Sequence, residues 1–313
     1  MRRSFRIVRT GVFAGLFALG GSIAVHEVSH TNSNLTEPTT SITVTNSPAT
    51  RTSAFYLDVG ASSSLGIQAI PGRDNGYSND LVRLEAARGV ALSLKEVGCP
   101  GETSASILLR GPQSHIRLME SRCYHGGAGQ LAQATSFLKS HFDQLGLVTV
   151  DSGFNDVRTC LNTTIVNQSC FESNLAVVKR NLPILLSDLR RAAGPRVHFV
   201  GLQYADPFLQ HYLSGSQGRV QAALSLRDMT ALNLVLANDF VHAGMAVANI
   251  PAAYDSLDST ASTLAPYGAI PLNVKQICLM TWMCSTAHDD HANDLGYQTE
   301  AAAILKVLPS ALH

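Results

Sequence analysis

No excess of charge marks this sequence: its 313 residues carry 23 Lys and Arg against 23 Asp and Glu, a formal net charge of zero at pH 7. Such a balance offers no basic face to DNA, RNA or an anionic lipid surface, so nucleic acid is not an expected partner. Long apolar runs are equally scarce. Even Gly11 to Val25 falls short of the ~20 residues of a spanning helix, which argues against a membrane bundle and any stable membrane partner. There is no internal repeat, hence no solenoid. No two cysteines have the C-x-x-C spacing of a zinc or thioredoxin-type site. A cysteine-held metal is therefore not expected.

What is present begins with Arg2, Arg3, Arg6 and Arg9, the apolar run, and the small-x-small triplet Ser22-Ile23-Ala24. Residues 1–24 read as a secretory signal peptide, or an anchor if uncleaved. Residues 25–53 are rich in Thr, Ser, Asn and Pro and read as a linker, because such a composition cannot bury enough surface to offset its ordering entropy. Within this region His26-Glu27-Val28-Ser29-His30 matches H-E-x-x-H, but between a signal sequence and a linker it lacks the packed helix and third ligand that a zinc protease needs. From residue 54 to 313 the hydrophobic content, 45% over the whole chain, sustains one α/β domain. The six cysteines, Cys99, Cys123, Cys160, Cys170, Cys278 and Cys284, stand behind a signal peptide and favour disulfides. They fall into three neighbouring couples, although sequence alone does not choose among the pairings.

Along the domain, apolar runs end repeatedly in small polar turns. Phe55-Tyr56-Leu57-Asp58-Val59 runs into Gly60-Ala61-Ser62-Ser63-Ser64, and a second strand over Val90 to Leu94 leads to Cys99-Pro100-Gly101-Glu102-Thr103-Ser104. Gly146 to Asp151 runs into Ser152-Gly153-Phe154-Asn155-Asp156; Val197 to Leu202 and Met245 to Ile250 supply two more strands. Helical spacing is read over Gln130 to Phe142, Asn174 to Ala193, Ser225 to Val241 and Thr299 to Leu308, with Asp206 to Gly218 and Ala287 to Tyr297 as loops. Strands alternating with helices predict a three-layer αβα sandwich around a mostly parallel sheet of about five strands, with ligands at the strand ends. Ser62, at the end of the first strand, is then placed to be lifted clear of the sheet. Tyr204 and Trp282 are candidates for a pocket wall.

Gly60-Ala61-Ser62, Gly101 in its turn, Gly153-Phe154-Asn155-Asp156, and Asp289-Asp290-His291-Ala292-Asn293 with Gly296-Tyr297 occur in the order found in SGNH hydrolases. The domain resembles these GDSL-type lipases and esterases, and among them the secreted, three-disulfide actinobacterial-like members. The resemblance implies a flavodoxin-like sandwich and hydrolysis of small-molecule or lipid carboxylic esters outside the cell, with no metal or organic cofactor. It makes Ser62 the nucleophile and His291 the general base, with an oxyanion hole from the N–H groups of Ser62 and Gly101 and the amide of Asn155. It also implies the pairings Cys99 with Cys123, Cys160 with Cys170 and Cys278 with Cys284. Two positions depart from the family. Ala61 stands where Asp is usual, and His288 where the triad acid is common, leaving Asp289, Asp290 or the His288 carbonyl to serve His291; Asp289 is expected to do so. The alternative reading is a weakened or inactive SGNH-fold protein that binds a lipid, acyl or glycan ligand.

Overall fold

Six consecutive buried residues, Ala54 to Val59, form most of the first strand, β1 (Thr52–Val59), so this segment is covered on both faces. That is the signature of an interior strand of a parallel sheet. The computed structural model describes residues 52–70, 75–109, 123, 128–162, 164–310 and 312. The expected signal peptide, the H-E-x-x-H segment and nearly all of the linker lie outside these residues. β1 begins at Thr52, two residues inside the stretch read as linker.

Beyond β1 the elements alternate: α1 (Tyr77–Ala87), β2 (Val90–Glu96), α2 (Ser104–Leu108), α3 (Gln130–Ser140), β3 (Gly146–Val150), α4 (Phe154–Leu161), α5 (Gln168–Ala192) and β4 (Val197–Leu202). A 3-10 helix (Pro207–Ser214), α6 (Gly215–His242), β5 (Ala246–Ala248), α7 (Ile250–Ala253), the hairpin β6 (Ala261–Leu264) and β7 (Gly268–Pro271), α8 (Leu272–Met280) and α9 (Asp294–Val307) follow. The main sheet has the order β2-β1-β3-β4-β5 with every pairing parallel. α1 and α9 pack together, while α5 contacts α2, α3, α4 and α6. The result is the three-layer α/β architecture expected, with β3 wholly buried and β2 alternating between cover and solvent at the edge.

Chain order reverses between β1 and β3: one connection from β1 leads outward to β2, and the next returns across β1 to β3. A crevice opens at the carboxyl ends of strands that diverge in this way. β1 delivers Ser62 to it and β3 delivers Asn155, which is why those two turns face one another.

Three expectations need correction. Asp206 to Gly218 is not a loop; Asp206 caps the 3-10 helix by accepting from the Phe208 N–H at 3.0 Å and from the Ser225 hydroxyl at 2.9 Å, and α6 starts at Gly215 rather than Ser225. The last helix starts at Asp294 rather than Thr299, because Asn293 accepts from the Gly296 N–H at 3.1 Å and caps it. The β6–β7 hairpin was not anticipated.

Packing between layers leaves no slack at β4. A Cβ at Gly201 would lie 2.2 Å from the ring of Phe240, which α6 presents to the sheet. Gly201→Ala should therefore overpack this contact and destabilise the fold by about 1–3 kcal/mol; denaturant unfolding with all disulfides intact measures it, and an unchanged midpoint would contradict this packing.

Candidate active site

Ser62 sits on a turn whose backbone closes on itself. The Gly66 N–H donates to the Ser63 carbonyl and the Ile67 N–H to that of Ser62, both at 3.0 Å, and the Ser64 hydroxyl donates to the Ala61 carbonyl at 2.7 Å. Ser62 itself is half-buried, so its side chain is open to a ligand in the crevice. Gly101 follows β2 with φ of +80°, a conformation that favours glycine, and a Cβ there would meet no atom within 4 Å. Steric room is thus not the reason for glycine at this exposed site; backbone conformation is.

Asn155 occupies the first turn of α4. Its Nδ2 donates to the Glu102 carbonyl at 3.0 Å, which ties the side chain to the loop that carries Gly101 and leaves a second N–H on the amide. Asp156 makes the same connection from beneath. Its carboxylate accepts from the Ser104 N–H at 2.8 Å and the Ser104 hydroxyl at 2.7 Å, so the start of α2 is moored to α4. The two loops are therefore tied to each other at both Asn155 and Asp156.

His291 lies between α8 and α9, on a segment pinned by the Cys278–Cys284 disulfide and by the Trp282 N–H, which donates to the His291 carbonyl at 3.0 Å. Its Nδ1 is 2.6 Å from Asp289 Oδ1, and the same oxygen accepts the His291 backbone N–H at 2.9 Å. The hydrogen bond to His291 holds the Asp289 carboxyl below its ordinary value against the opposing pull of burial. Asp290 lines the same cavity but has another partner: both its oxygens bond Arg158, and the nearer lies 3.9 Å from His291 Nδ1. The Asp290 side chain is 5% exposed, so this ion pair is largely withdrawn from solvent on its acidic side. His288 has φ of 48° and its Nδ1 is 3.2 Å from the Met283 carbonyl. Among the described residues, Asp289, Asp290 and His291 are the group whose ligand atoms, all within 4.8 Å, could approach a cation. Two of the three are already committed, Asp289 to His291 and Asp290 to Arg158.

These segments meet in one cavity of about 240 Å³. Ser62, Gly101, Asn155 and His291 all line it, together with Ile67, Phe154, Arg158 and Tyr204. Ser62 and His291 share its wall without a hydrogen bond between them. Tyr204 also lines a smaller neighbouring cavity of about 50 Å³ with Asp151, Tyr254 and Glu300. Trp282 is not among the residues lining either one. The cysteines pair as Cys99–Cys123, Cys160–Cys170 and Cys278–Cys284.

The chain is similar to lipases and acetylxylan esterases. An extracellular lipase from Streptomyces rimosus is 16% identical over 82% of this chain and 100% of its own, with a TM-score of 0.45. For an acetylxylan esterase from Geobacillus stearothermophilus the values are 13%, 81%, 93% and 0.45, and for phospholipase A1 from Streptomyces albidoflavus 17%, 72%, 96% and 0.42. No family model and no curated protein matches the chain. The chemistry of the site rests on its own residues.

Two groups lining the cavity escaped the sequence reading as site residues: Arg158 and Asp151. Arg158 meets Asp290 across 132 positions, and nothing local in the sequence announces that pair.

Burial also leaves several carboxyls reluctant to ionise. It drives Asp151 and Asp206 up to about 7 and Glu300 up to about 8. In the unfolded chain such groups lose their protons near pH 4, so the folded state binds more protons across the window from about pH 4 to about pH 8. Stability from these groups is full below that window and falls as pH rises through it. The melting temperature of the disulfide-intact protein is expected to be higher at pH 5 than at pH 8; a higher value at pH 8 would overturn the assignment.

Proposed function

We propose that the protein is a secreted serine esterase or lipase, resembling the SGNH hydrolases, that cleaves carboxylic esters through an acyl-serine intermediate. One observation carries this reading: Ser62, Gly101, Asn155 and His291, from four separate segments, line the same cavity, and Asp289 occupies the far nitrogen of His291. The three disulfides support an oxidising, extracellular setting. Among the described residues no helix is long and apolar enough to cross a membrane.

In this mechanism His291 Nε2 takes the Ser62 proton as Oγ attacks the ester carbonyl. Asp289 holds the proton on Nδ1, selecting the tautomer and stabilising the imidazolium. Negative charge gathers on the carbonyl oxygen, where the N–H groups of Ser62 and Gly101 and the Asn155 amide donate to it. Their fixed positions matter because donors that need no reorganisation stabilise the transition state more than the ground state. The C–O bond to the alcohol then breaks, His291 returns the proton to that oxygen, and water, deprotonated by His291, releases the acid from Ser62.

A fluorophosphonate should label folded, disulfide-intact protein at Ser62, and Ser62→Ala should abolish labelling. No label at Ser62 would leave the alternative, an inactive relative that binds a lipid, acyl or glycan ligand. Asn155→Ala is expected to lower kcat on a p-nitrophenyl ester by about 10²–10³-fold with little change in KM. Asp289→Ala should lose up to about 10⁴-fold, whereas full turnover in that variant would move the acid to Asp290 or the His288 carbonyl.

A further inference from the structure

The turn that carries Ser62 is fastened from outside by a side chain that takes no part in the chemistry. Gln130, fully buried at the start of α3, is 70 positions from Gly60 in sequence, yet its amide spans both polar groups of that residue. Gln130 Oε1 accepts from the Gly60 N–H at 2.8 Å, and Gln130 Nε2 donates to the Gly60 carbonyl at 2.8 Å. A paired bond of this kind fixes orientation as well as distance. Gly60 is itself buried, and the Cys99 N–H reaches its carbonyl at 3.3 Å. Without the clamp, its N–H would be buried and unsatisfied, a state that proteins rarely tolerate.

A second group closes the opposite side. The Asp151 side chain lies so close to Gly60 that a Cβ there would fall 2.9 Å from Asp151 Cγ. The Tyr204 hydroxyl donates to Asp151 Oδ1 at 2.8 Å and that of Tyr77 reaches Oδ2 at 3.5 Å, so this wall is braced from two further elements. The N–H groups of Ser64 and Ala61 stabilise the ionised form of the same carboxylate. Gly60 is thus held between an amide that bonds it and a carboxylate that leaves room for no side chain.

We propose that Gln130 is a positioning residue for Ser62: its two hydrogen bonds to Gly60, against the wall formed by Asp151, set the direction in which the serine hydroxyl leaves β1. Ala61 brings no polar side chain of its own to the turn, so the restraint comes from α3 and β3. This inference rests on the proposed esterase reading for its kinetic consequence but not for its structural one.

Gln130→Met keeps the length of the side chain and removes both bonds; Gln130→Glu keeps the acceptor for the Gly60 N–H and loses the donor to its carbonyl. Two readouts are taken on disulfide-intact protein. Hydrogen exchange at the Gly60 amide, referred to the Val148 amide of β3, should rise by about tenfold or more in Gln130→Met and less in Gln130→Glu. The rate constant for fluorophosphonate attack at Ser62, per folded molecule, should fall by about 10²-fold in Gln130→Met, since small misplacements of a nucleophile cost that much, with KM for p-nitrophenyl acetate nearly unchanged. If Gln130→Met does not fold, Gln130→Glu decides the matter with the same two readouts. Unchanged Gly60 exchange overturns the clamp. A labelling rate equal to that of the parent protein, despite faster exchange, overturns the positioning role. Absence of any label at Ser62 in the parent protein sinks the esterase reading instead, and the exchange measurement still judges the clamp.

Discussion

Register between β1 and β3 is the constraint on which the site depends. Val59 sits beside Val150, and the Asp151 N–H donates to the Val59 carbonyl at 2.9 Å, so the two strands end level with each other. From that common edge one turn leads to Ser62 and the other to Asn155. Both strands are buried on both faces, so sliding one by a single residue would exchange the side chains packed against the two helical layers and part the two turns. The same register brings Asp151 against Gly60, where only a residue without a side chain fits. The geometry of the candidate site and core packing are, at this edge, one requirement.

Around that edge the protein gathers polar groups that it does not leave exposed. Below the turn, the Tyr77 hydroxyl donates to Asp58 at 2.9 Å and Thr149 donates to it at 2.8 Å, while Tyr56 bonds Thr149 at 2.9 Å. Burial pushes the Asp58 carboxyl well above its usual range, so it costs far less there as a neutral acid than as a charge. On the His291 side the arrangement is opposite. Asp289 stays ionised because it bonds His291, and Asp290 is matched by Arg158, whose own guanidinium is held above its ordinary value mainly by that bond. Two adjacent carboxylates thus acquire different roles from their partners alone.

The sheet was legible in the sequence because its strands are short apolar runs closed by glycine, as at Val59-Gly60 and at Val150 followed by Gly153. The hairpin was not, since Ala261-Ser262-Thr263-Leu264 is small and half-exposed, with neither a clear apolar face nor an Asn-Gly turn. The start of α6 was hidden by Gly215 and Gly218, which read as breakers; tertiary hydrogen bonds through Asp206 override that weak preference. For the site, the turns carrying Ser62, Gly101 and Asn155 were visible as punctuation at strand ends, whereas His291, in a loop between two helices, was singled out by the family resemblance. Asp289 was preferred over Asp290 from its place beside the position where the family puts the acid; that Arg158 engages Asp290 was not legible. Gln130 looked like the first residue of a helix, and only the fold shows that its amide reaches Gly60.

The central claim is that Ser62 attacks while Gly101, Asn155 and its own N–H receive the oxyanion. A crystal structure of the phosphonate adduct tests it most directly. The account predicts phosphorus bonded to Ser62 Oγ and one phosphoryl oxygen within about 2.7–3.1 Å of the Ser62 N, the Gly101 N and Asn155 Nδ2. An adduct on another residue, or a phosphoryl oxygen turned toward solvent away from those three donors, would contradict it.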